Sequence, residues 1–428
     1  MPSILTDINP SKTVLLKVFG RIGVQSFGGP AAQISLMHEV LVDETGWLSE
    51  QEFLRALSFC MLLPGPEAMQ LATYAGWRVG GILGGLIAGL LFVIPGALII
   101  FALALTYVSF GQFTLVQTLF IGIKAAVLVI VIAALLKVSK RALHGTQDWI
   151  IAVSAFIAIF FFALPFPLII LTAAATGFYR NRNNPSPLQH TKFDPKLYRR
   201  TLATTLFGVL LWAAPLIVID QLFQLSFFTE LGLFFSKLAI VTFGGAYAVL
   251  AYMSQDVVTA YEWLTAGEML DGLGLAETTP GPLILVTQFV GFLAAYKQGG
   301  LGSGLLGALL TLWVTFVPCF IWIFAGARYL ERLMGMPNLN GALTAITAAV
   351  VGVMLNLSIW FGLHVLFENV NSLQLGLAHL WQPDLSSVNF DILVLLLLNG
   401  FLMFGLRWGI GRLLVASAFS ALTLSYIT

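Results

Sequence analysis

The chain has 428 residues, of which 58% are hydrophobic and only 10% charged, with a formal net charge of +1 and a mean hydropathy of +0.92. Soluble domains carry about 25% charged residues, so this composition excludes a water-soluble protein; the net charge says nothing about nucleic acid, the charges being sparse, and no nucleic-acid partner is expected. The two cysteines, Cys60 and Cys319, sit in apolar surroundings and suggest no disulfide framework.

The first dozen residues are polar, and no signal peptide is expected there. Residues 13–40 then form an apolar stretch broken at Gly28-Gly29-Pro30, and residues 50–79 another, broken at Pro64-Gly65-Pro66. Uninterrupted spans follow at 81–109 and 114–138, with shorter ones at 148–163 and 165–178. A hydrophilic loop from Arg180 to Arg200 carries six basic residues, and a connector span covers 201–224. Broken stretches return at 231–255 and 266–297, and spans at 300–327, 339–365, 388–405 and 409–427 complete the chain.

Both breaks recur 216 positions on: Ser26-Phe27-Gly28-Gly29 as Thr242-Phe243-Gly244-Gly245, and Pro64-Gly65-Pro66 as Pro280-Gly281-Pro282. Residues 27–66 laid over 243–282 need no gap and agree at 14 of 40 positions, among them Trp47/Trp263, Leu48/Leu264 and Glu52/Glu268. The chain reads as a duplication, with a first repeat at 1–179, a basic linker plus connector at 180–228 and a second repeat at 229–428. The expected fold is an all-α polytopic membrane protein of about 13 apolar segments, with broken or re-entrant helices in each repeat.

Orientation follows Lys and Arg. Lys137, Lys140 and Arg141, the 180–200 linker, Arg328/Arg332 and Arg407/Arg412 can all face the cytoplasm, while the 366–387 loop holds no Lys or Arg. One topology satisfies every loop: the repeats are inverted, the N-terminus is cytoplasmic and the C-terminus lies outside.

Irregular backbone at membrane depth is tolerated only where protein or a water-filled cavity surrounds it. Pro-Gly-Pro cannot continue a helix, and Pro66 and Pro282 are placed to start new ones. Their first N–H groups, on Glu67 and Ala68 and on Leu283 and Ile284, carry about half a positive charge and suit an anion. Gly28, Gly29, Gly65, Gly244, Gly245 and Gly281 add exposed backbone. In an inverted repeat such breaks meet near the midplane; the plain alternative is a pair of packing kinks.

Ser26, Thr242, Thr278, Thr279, Gln70 and Gln288 supply hydrogen-bond donors near the breaks, or pack helices as Ser and Thr commonly do. Lys124 lies inside the 114–138 span, where a cation marks a pathway or joins an ion pair with Glu67 or Glu277. Glu67 and Glu277 can each pair with it, carry a proton or cap a helix. Arg21 and Lys237, seven residues before their Gly-Gly pairs, line an anion's approach or anchor at the interface. Glu52 and Glu268, behind Ser49 and Thr265, look like ordinary helix starts. The glycines of 80–89 and 299–307 read as close helix packing. The five histidines show no metal-ligand spacing, so no metal or other cofactor is expected, and no catalytic constellation argues for an enzyme.

Phe19-Gly20-Arg21-Ile22-Gly23 leading to Ser26-Phe27-Gly28-Gly29-Pro30, then Trp47-Leu48 and Pro64-Gly65-Pro66, resembles the first half of the CHR family of chromate ion transporters. Thr242-Phe243-Gly244-Gly245, Trp263-Leu264 and Thr279-Pro280-Gly281-Pro282 resemble its second half. The likeness covers residues 13–428 and the long, two-domain form; Ala246 and Val241 depart from Pro30 and Gln25 of the first copy. It implies a multi-pass protein of the cell (inner) membrane that exports chromate and confers resistance, with sulfate as the expected competitor. The partners expected are chromate, sulfate and the lipid bilayer; a homodimer is compatible with this. Outward movement of a dianion down an inside-negative potential gains about 2.3 kcal/mol per charge per 100 mV. The alternatives are a sulfate or general oxyanion transporter and a passive anion channel.

Overall fold

The structure, a computed structural model, describes residues 10–111, 113–182, 195–243, 246–330, 336–376 and 378–426. It is built almost wholly of helices, and the expected broken stretches appear as helix pairs. Helices α1 (Lys12–Gln25) and α2 (Gly29–His38) flank the first Gly-Gly, and α3 (Glu50–Leu62) and α4 (Glu67–Phe110) flank the first Pro-Gly-Pro. Then come α5 (Thr114–Ala142), α6 (Thr146–Phe160), α7 (Phe166–Arg180) and α8 (Pro195–Val218). In the second half α9 (Ser226–Val241) and α10 (Ala246–Gln255) precede α11 (Ala266–Thr278) and α12 (Val286–Gly326). The chain ends with α13 (Pro337–Leu366), α14 (Phe390–Gly400) and α15 (Ile410–Ser425). Five of the described helical stretches are long and apolar enough to cross a membrane, with four shorter apolar ones beside them.

Two glycine pairs do something the sequence reading missed. Gly80-Gly81 inside α4 and Gly299-Gly300 inside α12 were expected only to let helices pack, yet both are non-helical. Gly81 has φ 63° and ψ −157°, and Gly300 φ 71° and ψ −156°, a conformation open to Gly and costly to any residue with a Cβ. The packing role belongs to their neighbours: a Cβ on Gly84 would collide with the Gly76 carbonyl, and one on Gly307 with that of Gly291. The two halves thus share a bend as well as a sequence pattern.

The chain forms two compact units, neither of which coincides with a sequence half. One comprises 1–101, 185–245 and 279–336; the other comprises 102–184, 246–278 and 337–428. In the first, α12 packs on α8 and α9. Trp212 Nε1 donates to the Val314 carbonyl (3.0 Å) and Trp313 Nε1 to that of Leu211 (3.2 Å), one bond in each direction between α8 and α12.

In the second unit α13 packs against α5, α6, α7 and α10, and α15 against α5. Without a hydrophobic force between helices in lipid, small residues and polar bolts supply the attachment. Gly352 abuts the Ala152 carbonyl and Gly177 that of Gly341. Asn399 Nδ2 donates to Ser417 Oγ, which donates to the Gly122 carbonyl, both at 2.7 Å.

The 366–387 segment, expected as a plain loop, holds an antiparallel hairpin of β1 (Val370–Leu375) and β2 (Ala378–Pro383). Gly376, at φ 62°, follows the first strand, and the His379 amide donates to the Phe161 carbonyl (2.6 Å). Just beyond, the Ser386 hydroxyl and amide hold the Asp384 carboxyl below its ordinary range.

Gly352→Val is expected to destabilise the fold by about 1–3 kcal/mol, because its side chain would displace the α6 backbone. Gly400→Ala, with open space around it, should leave the melting temperature in detergent unchanged. Thermal unfolding of the purified variants checks both.

Candidate functional site at the helix breaks

The breaks lie in the first unit, and their conformations are local consequences of Gly and Pro. Gly28 (φ 87°), Gly29 (φ 77°), Gly65 (φ 119°) and Gly281 (φ 88°) all occupy the left-handed side that L side chains avoid. Ser26 ends α1 and turns its hydroxyl back on the Ile22 carbonyl (2.5 Å); Thr242 ends α9 and does the same to Leu238 (2.6 Å). Both carbonyls then point onward, and each takes its hydrogen bond from the opposite copy. The Gly65 amide donates to the Thr242 carbonyl (2.8 Å), and the Gly281 amide to the Ser26 carbonyl (2.9 Å). Since Thr242 answers to Ser26 and Gly281 to Gly65 in the sequence repeat, the two bonds are counterparts of one another.

Gly65 and Gly281 are buried, as are Ser26 and Thr242. In this conformation the two glycine amides are committed to protein carbonyls, so they lock the breaks together. The remaining donors are the first-turn amides that open each new helix, including Ala68 on α4 and Leu283 and Ile284 before α12. Glu67 opens α4 half-buried.

Three buried glutamines surround this crossing. Gln70 Nε2 donates to the Pro64 carbonyl (2.7 Å) and Gln288 Nε2 to that of Ala97 (3.0 Å). Gln33, which sequence reasoning missed, donates from Nε2 to the Gly281 (2.6 Å) and Ser26 (3.3 Å) carbonyls, touching both breaks at once. The side-chain oxygens of all three are buried without a protein partner. Each such atom costs about 1–3 kcal/mol unless a ligand or water completes it. Thr279 is buried here too, whereas Thr278 is exposed and bonds back to Leu275 (2.7 Å). Gly244 and Gly245 lie outside the described residues.

The second unit holds the charges. Lys124, on α5, pairs neither with Glu67 nor with Glu277, as the sequence had suggested. Its Nζ lies 3.4 Å from Asp271 Oδ1 on α11, and Tyr107 donates to Asp271 Oδ2 (2.9 Å). Asp271 is 4% exposed. The signal that could have found it is an acid in the middle of a helix among apolar neighbours, where a buried charge needs a partner. Glu277 is buried and accepts from the Tyr247 hydroxyl (2.9 Å).

Arg21 forms a two-pronged ion pair with Glu44 (2.6 and 2.9 Å) on the exposed surface, and Lys237 is likewise exposed. Ser49 with Glu52, and Thr265 with Glu268, make the expected reciprocal caps. His38 sits between Glu50 (2.6 Å) and Asp43 (3.4 Å). Among the described residues no cluster of His, Cys, Asp or Glu could hold a metal ion.

Gly281→Ala places a Cβ at φ 88° against the Phe92 carbonyl (3.2 Å) and is expected to cost roughly 1–2 kcal/mol in stability. Gln33→Leu removes the donor to both breaks while conserving bulk. We expect faster amide exchange at residues 26–30 and 279–284 by hydrogen–deuterium mass spectrometry; unchanged exchange would refute the bridging role.

A family model described as Chromate transporter matches residues 13–178 and 229–423. The chain is 29% identical over 341 residues to the chromate transport protein of Cupriavidus metallidurans, covering 79% of each chain. It is 30% identical over 373 residues to the chromate transport protein of Pseudomonas aeruginosa, covering 84% of this chain and 83% of that one. A probable chromate transport protein of Synechococcus elongatus shares 29% over 361 residues, 81% of this chain and 85% of its own. No solved structure gives a significant match. The chain belongs to the chromate transporter family, and it is a membrane transporter rather than an enzyme.

Proposed function

We propose that the chain is a secondary transporter that exports chromate across the cell (inner) membrane and binds it at the paired helix breaks. The observation that carries this reading is the reciprocal bonding of Gly65 to Thr242 and Gly281 to Ser26. It seats two helix starts, after Pro66 and Pro282, in one buried polar crossing. Amides at such starts bind anions without any cationic side chain, and a tetrahedral dianion offers four oxygens to share among them. Ser26, Gly28, Gly29, Glu67, Gln70, Thr242, Thr279 and Gln288 line or support the crossing; the unpartnered Gln70 and Gln288 side chains gain when an ordered ligand or water joins them.

In this reading residues 1–179 and 229–428 are inverted repeats joined by the 180–228 linker and connector. The paired bonds support a two-fold relation between the copies, and the placement of Lys and Arg along the chain supports its being an inversion. The N-terminus is cytoplasmic and the C-terminus outside. Lys124 supplies a membrane-depth positive charge on which transport depends, held by Asp271 when no anion competes for it. Arg21 and Lys237 border the approach. Sulfate, of like shape and charge, competes. The chain supplies no ATP-binding motif, and the membrane potential drives the dianion outward by about 2.3 kcal/mol per charge per 100 mV.

In inverted membrane vesicles, protein-dependent chromate uptake is expected to saturate, to be inhibited by sulfate and to speed up when the lumen is made positive. Uptake linear in chromate would instead mark a channel, and uptake blind to voltage would contradict the proposed driving force. Lys124→Met should abolish uptake and destabilise the protein by about 3 kcal/mol, because Asp271 is left buried and unpaired. Adding Asp271→Asn should restore the melting temperature but not uptake. Full transport by the double variant would remove Lys124 from the mechanism.

A further inference from the structure

Two buried acids sit on α11, and they are treated differently. Asp271 has the Lys124 ammonium opposite it. Glu277 has only a phenol: Tyr247 Oη donates to Oε1 at 2.9 Å, and among the described residues no cation forms an ion pair with it. The helices packed on α11 supply no counter-charge either. On α5, Lys124 is engaged with Asp271 and Lys137, Lys140 and Arg141 are exposed; on α13 the one titratable group, His364, bonds to the Trp360 carbonyl; on α15 Arg412 is exposed. Glu268, on α11 itself, is taken up in the cap with Thr265.

The position of the pair in the chain matters as much as its burial. Glu277 is in the last turn of α11, just before Thr279-Pro280-Gly281-Pro282, and Tyr247 is in the first turn of α10, just after Gly244-Gly245. One hydrogen bond therefore ties the two helix ends that adjoin the second copy's breaks. The first copy has Ala31 and Met61 at the equivalent positions, so the device exists once per molecule. The last turn of a helix also carries a partial negative charge, which adds to the cost of a carboxylate there.

A carboxylate buried without a cationic partner is expensive, and a nearby dianion makes it more so. We infer that Glu277 is the proton-binding residue of the transport cycle, taking up a proton as the oxyanion binds and returning it when the ion leaves. The step is a single O–H bond formed on the Glu277 carboxylate with a proton from the aqueous phase, and broken again on release. Tyr247 holds the carboxyl in place through the other oxygen in both states. Proton and oxyanion then bind together, not in competition, and the translocated unit is the oxyanion with one proton. This rests on the oxyanion site proposed above.

The test is calorimetric titration of the purified full-length protein with sodium chromate at mildly alkaline pH, where the ligand is the dianion, in buffers of different ionisation enthalpy. Wild type is expected to take up about one proton per chromate bound, and Glu277→Gln to bind with uptake near zero. Tyr247→Phe, which keeps the acid, should retain uptake and shift the pH at which it is centred, so a poorly folding Gln variant does not end the test. Chromate bound by wild type without proton uptake, or uptake preserved in Glu277→Gln, overturns the inference and leaves the oxyanion site standing. Absence of chromate binding to well-folded wild type overturns both.

Discussion

Backbone amides and carbonyls inside a bilayer have no water to turn to, and this constraint shapes the molecule more than any single side chain. Four helix ends stop short at Ser26, Leu62, Thr242 and Thr278. A chain that interrupted its helices there without compensation would forfeit several kcal/mol per orphaned group. The duplication offers a solution: each copy's Pro-Gly-Pro glycine supplies the donor that the other copy's α1 or α9 end lacks. Gln33 then bonds to carbonyls of both copies. The result is irregular backbone that is hydrogen-bonded, buried and still furnished with first-turn donors.

The charged groups obey the same economy. Lys124 on α5 and Asp271 on α11 neutralise each other, with Tyr107 holding the second carboxylate oxygen. A pair held this way is poorly suited to adding stability, because desolvation offsets most of the attraction. In the transport reading proposed above, a mobile dianion competes with Asp271 for that ammonium. Glu277 differs in having a neutral partner, and the proposed proton-binding role rests on that difference.

How much of this was readable in advance depended on whether the determinant was local. The positive φ angles at Gly28, Gly29, Gly65 and Gly281 follow from residue type and immediate neighbours, so the breaks and the helices around them emerged from the sequence near their observed bounds. The caps at Ser49 and Thr265 are local too. The bends at Gly80-Gly81 and Gly299-Gly300 were hidden because apolar sequence continues on both sides, and glycine in such a run serves packing equally well. Gln33 reaches Gly281 across 248 residues, and the partner of Lys124 was sought among acids beside the breaks while Asp271 lay in mid-helix. Those are tertiary facts that no spacing rule encodes. The hairpin at 370–383 escaped because its short strands, with polar and apolar residues mixed, look like any loop between spans.

The central claim, that the paired breaks cradle the oxyanion, is tested most directly by locating chromium. An experimental structure of the protein in chromate, with anomalous scattering used to identify the metal, should place one chromium within hydrogen-bond reach of the Ala68 and Leu283–Ile284 amides. A chromium peak elsewhere, with those amides and the Gly65–Thr242 and Gly281–Ser26 bonds untouched, would contradict the account.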